Sequence, residues 1–139
     1  MRHLAVELAV VVAKDSPLKE LSLADLRRVF MSEPFSDPSG TRLVPLNHPP
    51  KTPDRVAFDS LVLGMNADTV GKFWLDRRIR GQSGAPRTVD SLALLLKVVA
   101  RLPGAIGYIR PSFIGSDVAA LKVEGVLPGK PGYRLIFPG

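Results

Sequence analysis

Leu4-Ala5-Val6-Glu7-Leu8-Ala9-Val10-Val11-Val12-Ala13 is the stretch on which the fold turns. Valine recurs through it, and apolar residues occupy both faces of an extended chain, as in a strand buried between two layers of helices. Lys14-Asp15-Ser16-Pro17 breaks the run. The basic start Met1-Arg2-His3 ahead of an apolar stretch has the outline of an export leader, but Glu7 interrupts it and the strand reading claims the same residues.

Working outward, the chain alternates between helical and extended patterns. Ser22-Leu23-Ala24-Asp25 is a capping box with Asp in place of Glu, and Leu23, Leu26, Val29 and Phe30 share one helical face, predicting a helix from about Leu23 to Met31. Residues 32–41 hold two prolines, a glycine and three serines and read as a loop before a short strand from Arg42 to Leu46. Thr52 is placed to cap a helix whose first position is Pro53, with Phe58, Leu61, Val62 and Met65 as its stripe. A further helix starts after Asn66, with Val70, Phe73 and Trp74 inward, and ends near Arg77, Arg78 and Arg80. After a loop at 81–86, Thr88 is placed to cap a fourth helix carrying Val89, Leu92, Leu95, Leu96 and Val99, which Pro103-Gly104 stops. Ala105 to Ile109, Val118 to Val123 and Tyr133 to Phe137 complete the strands. The order predicts an α/β fold, a single layer-type domain over residues 1–139 with a mainly parallel sheet flanked by helices.

Composition narrows the chemistry. The 139 residues suit one domain, and 45% hydrophobic against 23% charged residues is a globular balance rather than a disordered one. With no cysteine, disulfide scaffolds, thiolate catalysis and Cys-held metals are excluded. A formal charge of +6 points to anionic partners. No apolar run approaches the roughly 20 residues of a membrane span.

In an open parallel sheet, ligands collect where strands end and helices begin. Three loops fit: Lys14, Asp15 and Ser16; Asn47, His48, Lys51 and Thr52; and Arg110 with Ser112. The second is the best anion candidate, because a helix start presents unpaired N–H groups and partial positive charge, with a Thr52 hydroxyl and a Lys51 cation beside it. The bland alternative is an ordinary Thr-Pro helix start, in which Pro53 removes one donor. The candidate ligand residues are therefore Thr52, Lys51, His48, Asn47 and Ser16. Ser16, His48 and Asp54 would make a triad only on paper, since no G-x-S-x-G elbow is present. Two histidines separated by 44 intervening residues, without flanking carboxylates, do not make a metal site, and no cofactor is implied. Gly81-Gln82-Ser83-Gly84 lacks the Lys-Ser/Thr ending of a P-loop. The cluster Arg77, Arg78, Arg80 and Arg87 lies where a helix C-terminus favours cations, without any nucleic-acid motif, so the reading is weighted against nucleic acid.

Leu21-Ser22-Leu23-Ala24-Asp25-Leu26-Arg27-Arg28-Val29-Phe30, Leu43-Val44-Pro45-Leu46-Asn47, Pro53-Asp54-Arg55-Val56-Ala57-Phe58, Phe73-Trp74 with Arg80-Gly81, and Pro103-Gly104-Ala105-Ile106-Gly107-Tyr108-Ile109 follow one another in an order that resembles the phosphate-binding proteins of ABC transporters. The resemblance covers roughly Val10 to Ile109 and is to one lobe of a type II periplasmic binding protein. It implies that fold, a non-enzymatic role, phosphate or a related oxyanion as ligand, and an exported bacterial protein whose leader lies outside this sequence. It departs from the family at the helix start, where an Arg followed by Ser-Gly-Thr is replaced by His48-Pro49-Pro50-Lys51-Thr52-Pro53 and only Thr52 keeps a comparable hydroxyl. Two roles stay open: a one-lobed anion binder, completed by a second copy or by a transporter protein, and a recognition or sensory module that has lost solute binding and meets a protein partner.

Overall fold

A computed structural model describes residues 5–138; His3 and the first residue of the strand expected from Leu4 lie outside them. The long N-terminal run is divided into β1 (Val6–Glu7) and β2 (Ala9–Ala13). There follow β3 (Glu20–Leu21), α1 (Leu23–Phe30), β4 (Val44–Asn47), α2 (Pro53–Phe58), α3 (Ala67–Ile79), β5 (Arg87–Thr88), α4 (Leu92–Arg101) and β6 (Ala105–Ile109). The tail adds β7 (Val118–Ala120), β8 (Lys122–Val123) and β9 (Ile136–Phe137). The central sheet has the order β5-β4-β6-β2-β7.

The architecture is the expected mainly parallel α/β layer fold. β4 runs parallel to both β5 and β6, while β2 is antiparallel to its neighbours β6 and β7. Four of the five strands therefore point one way and β2 points against them. Alternation along the two central strands splits the core in two. Val10, Val12, Ile106 and Tyr108 face a cluster with Leu26, Phe30, Phe58 and Val62. Ala9, Val11, Ala105 and Ile109 face Leu95 and Val99 of α4. A strand with both faces covered must be apolar at every position, which is why the valine run is continuous.

Local chemistry sets most element ends. Ser22 Oγ accepts from Asp25 N at 3.0 Å, Asn66 caps α3 through Thr69 N at 2.9 Å, and Ser91 caps α4 through Leu94 N at 3.0 Å. The capping role expected of Thr88 thus falls to Ser91, because Thr88 pairs with Asn47 in the edge strand β5. The short strand expected at 42–46 is shifted to Val44–Asn47. α2 runs on into a π-helical turn, Asp59–Leu63, which Gly64 ends at φ 68°. Phe73 and Trp74 are half-buried rather than core residues, pack edge to face at 4.9 Å, and lie under the Arg77 guanidinium at 5.5 and 5.7 Å. Arg77 also donates to Ser83 Oγ at 2.8 Å, tying the glycine-containing loop to α3. Among the described residues no helix is long and apolar enough to cross a membrane.

Candidate functional site

The carboxyl ends of β4 and β6 lie side by side, and the chain leaving β4 turns at once into α2. His48, Thr52, Pro53, Asp54, Arg110, Ser112 and Phe113 line an open cavity of about 470 Å³ there. Its floor is held by a chain of hydrogen bonds. The buried Tyr108 hydroxyl donates to Asn47 Oδ1, which also accepts from His48 N at 2.9 Å. His48 Nε2 meets the Tyr108 carbonyl at 2.7 Å; a carbonyl only accepts, so this nitrogen carries the proton. The Tyr108 ring stacks on Phe58 at 3.8 Å and takes the His48 ring edge-on at 4.6 Å. Burial, and next the negative Asp59 nearby, push the Tyr108 phenol far above its ordinary range, so it is a fixed neutral donor.

Arg55 fixes the loop from the other side. Its Nη1 donates to the His48 carbonyl at 3.1 Å, and its Nε to Asp59 Oδ2 at 3.3 Å. Both residues are buried, 7% and 3% exposed, and Asp59 Oδ1 has no hydrogen-bond partner. Burial raises the Asp59 carboxyl above the usual carboxylate range, and Arg55 offsets part of that. Neither residue was singled out by the sequence reading. The available signal was an Arg and an Asp at i, i+4 on the helix that also carries the apolar stripe.

The five predicted site residues separate. His48 and Thr52 line the cleft, and Asn47 lies beneath it, its Oδ1 engaged by Tyr108 and His48. Thr52 starts the helix as expected but does not cap it: its hydroxyl donates to the Pro49 carbonyl at 2.8 Å. α2 is thus the one α-helix among the described residues without a side-chain cap at its start. Lys51, at φ 71°, lines a separate cavity of about 250 Å³ with Arg55, Asp59 and Trp74. Ser16 is not in this site. Because β2 runs against β6, its carboxyl end pairs toward the start of β6, and Ser16 lines a cavity with Asp37, Ser39 and Gly104 at the opposite end of the strands. That separation also breaks the paper triad of Ser16, His48 and Asp54.

Arg110, in the third loop of the sequence reading, brings the charge that Lys51 does not. Its Nε and Nη2 both donate to Asp54 Oδ1, at 2.9 and 2.8 Å, across the mouth of the cleft. The Arg110 side chain is 39% exposed and that of Asp54 24%.

In open α/β sheets, ligands bind in the crevice outside the carboxyl ends of adjacent parallel strands, where this polar cleft lies. The comparisons agree. No family model matches the chain. It is 27% identical over 128 residues to the phosphate-binding protein PstS of Bacillus subtilis (strain 168), covering 88% of this chain and 38% of that protein. Among solved structures it superposes on an ABC-type phosphate transport receptor from Vibrio cholerae with a TM-score of 0.77 at 17% identity, covering 99% of this chain and 56% of that one. PstS from Borrelia burgdorferi gives 0.73 at 14% identity, covering 99% and 57%. A chain described as a phosphate ABC transporter substrate-binding protein with bound phosphate, from Clostridium perfringens, gives 0.70 at 21% identity, covering 91% and 48%. The chain is similar in fold to about half of each of these solved structures and similar in sequence to part of the Bacillus subtilis protein, and it spans about half the length of these relatives or less. The relatives are named for binding or transporting phosphate, not for an enzymatic reaction.

Proposed function

We propose that the cleft at the ends of β4 and β6 is one wall of a binding site for phosphate or a related oxyanion, in a non-enzymatic, exported solute-binding module of phosphate uptake. The observation that carries the reading is the convergence on one cavity of an uncapped helix start, the Thr52 and Ser112 hydroxyls and the Arg110 guanidinium. The first-turn N–H groups of Asp54 and Arg55 address an anion directly, and Arg110 does so by releasing Asp54. Thr52 does so by releasing Pro49, or by accepting from the hydroxyl of a protonated phosphate.

One wall leaves the anion partly in water, where each charged contact is weak, so the expected affinity of the chain alone is about millimolar. The second reading, a recognition or sensory module without solute, is favoured by one observation: Arg110, the cation in the cleft, is already bonded to Asp54. Titration calorimetry with phosphate and with sulfate separates the two. Saturable heat at low millimolar phosphate, weakened in Thr52→Val, is the expected result. No saturable heat up to about 10 mM refutes anion binding, and an identical isotherm for the variant refutes the part given to Thr52.

A further inference from the structure

We propose that Asp54 is the resident ligand of Arg110, an internal carboxylate that holds the anion-attracting group of the cleft and sets how tightly any outside anion can bind. The proposal rests on the oxyanion reading above. Both donors of one guanidinium edge, Nε and Nη2, point at a single oxygen, Asp54 Oδ1, at 2.9 and 2.8 Å. This is the edge a tetrahedral oxyanion would use for a two-point contact. The two residues are 56 positions apart, one in the first turn of α2 and one in the loop after β6, and the tertiary fold brings them together at the same cavity. Asp54 also stands in the first turn of α2, where the helix dipole favours negative charge. The carboxylate therefore already satisfies the cation that an incoming anion needs.

An incoming anion has two routes, and both are unfavourable while Asp54 is ionised. It can displace the carboxylate from Arg110, losing two charge-assisted hydrogen bonds, or it can bind beside the pair and meet a like charge at close range. Removing the charge while keeping the shape leaves Arg110 only a weaker, neutral acceptor that an anion displaces more easily, and it removes the repulsion. Asp54 is accordingly a specificity-determining residue that restrains anion binding.

The test is titration calorimetry of the chain with inorganic phosphate and with sodium sulfate, in the native form, Asp54→Asn, Asp54→Ser, and Asp54→Asn combined with Arg110→Gln. Asp76→Asn serves as a control, since Asp76 pairs with Arg80 on the exposed side of α3 and its loss changes net charge equally without touching the cleft. Thermal melts confirm that each variant folds, and the two Asp54 substitutions guard against a fold defect in either one. The expected result is a gain of about tenfold or more in affinity for both anions in the Asp54 variants, no gain in Asp76→Asn, and loss of the gain in the double variant. Equal or weaker binding in both folded Asp54 variants overturns the proposal, as does an equal gain in Asp76→Asn or a gain that survives Arg110→Gln. A native chain that gives no heat beside an Asp54→Asn chain that does would refute anion binding by the native protein yet uphold the role of Asp54. A native chain that binds as tightly as the variants does the reverse.

Discussion

Gly104 and Gly107 lie three positions apart at the start of β6, and the structure assigns them opposite tolerances. Gly104 has φ +84°, and a Cβ built on it would stand 2.2 Å from the Arg42 carbonyl oxygen and 3.2 Å from Thr41 Cγ2. Ordinary contact demands a retreat of about 1 Å by backbone rather than by a flexible side chain. The Gly104 carbonyl also accepts from Val44 N at 2.8 Å, where β6 first joins β4, so the retreat strains that bond. For Gly104→Ala the left-handed backbone costs about 1–2 kcal/mol, the weakened bond about 1 kcal/mol and the forced shift about 1–3 kcal/mol. The sum is a loss of about 3–6 kcal/mol. A Cβ on Gly107 would meet Leu95 Cδ1 at 3.4 Å and Val99 Cγ2 at 3.5 Å, which is ordinary packing, and φ is not positive. Gly107→Ala should stay within about 1 kcal/mol of the native chain, helped by the lower entropy of its unfolded state. Urea unfolding followed by the fluorescence of the single tryptophan, Trp74, measures both. A loss under about 1 kcal/mol for Gly104→Ala, or equal losses for the two variants, refutes the reasoning.

Two further predictions concern a helix cap and a buried ion pair. Ser91→Ala should cost about 1 kcal/mol because Ser91 caps α4, whereas Thr88→Ala should cost well under that; equal unfolding midpoints for these variants would contradict the cap assignment. Arg55→Gln leaves the buried Asp59 carboxylate without its cation and should destabilise by about 3–5 kcal/mol near neutral pH. An acid whose folded pKa is raised costs stability once pH rises above its unfolded value, and the full cost is present above the folded value. Asp59 is raised already, and losing Arg55 raises it further, so the deficit of Arg55→Gln should shrink as pH falls through the range just above the usual carboxylate value. Denaturation at several pH values checks this, and a deficit that grows on acidification would contradict it.

Much of the scaffold was legible in local chemistry. The Ser22 capping box, the Pro53 helix start, the Asn66 cap, the Pro103-Gly104 stop and the strand Ala105–Ile109 each depend on residues within one turn of each other, so their signals sit in the sequence. The site was legible in part. His48 and Thr52 line the cleft because a strand end followed by a helix start is a local pattern. Ser16 stands apart from the cleft because hydrophobic periodicity carries no strand direction: the valine run looks the same in a parallel or an antiparallel ladder, and only its pairing with β6 sends its carboxyl end to the opposite end of the strands. Lys51, in a left-handed backbone conformation, lines a different cavity, with Arg55 and Asp59, which the linear spacing does not reveal.

The sequence by itself determined that this is a cysteine-free, basic α/β layer domain with a sheet buried on both faces, since composition, apolar periodicity and caps act over a few residues. Only the tertiary structure decided which charge stands in the cleft and what holds it. Asp54 and Arg110 are 56 residues apart, and Asn47 and Tyr108 are 61 apart. Such pairs form when the sheet order sets β4 beside β6, and a contact made by strand pairing leaves no periodic trace along the chain.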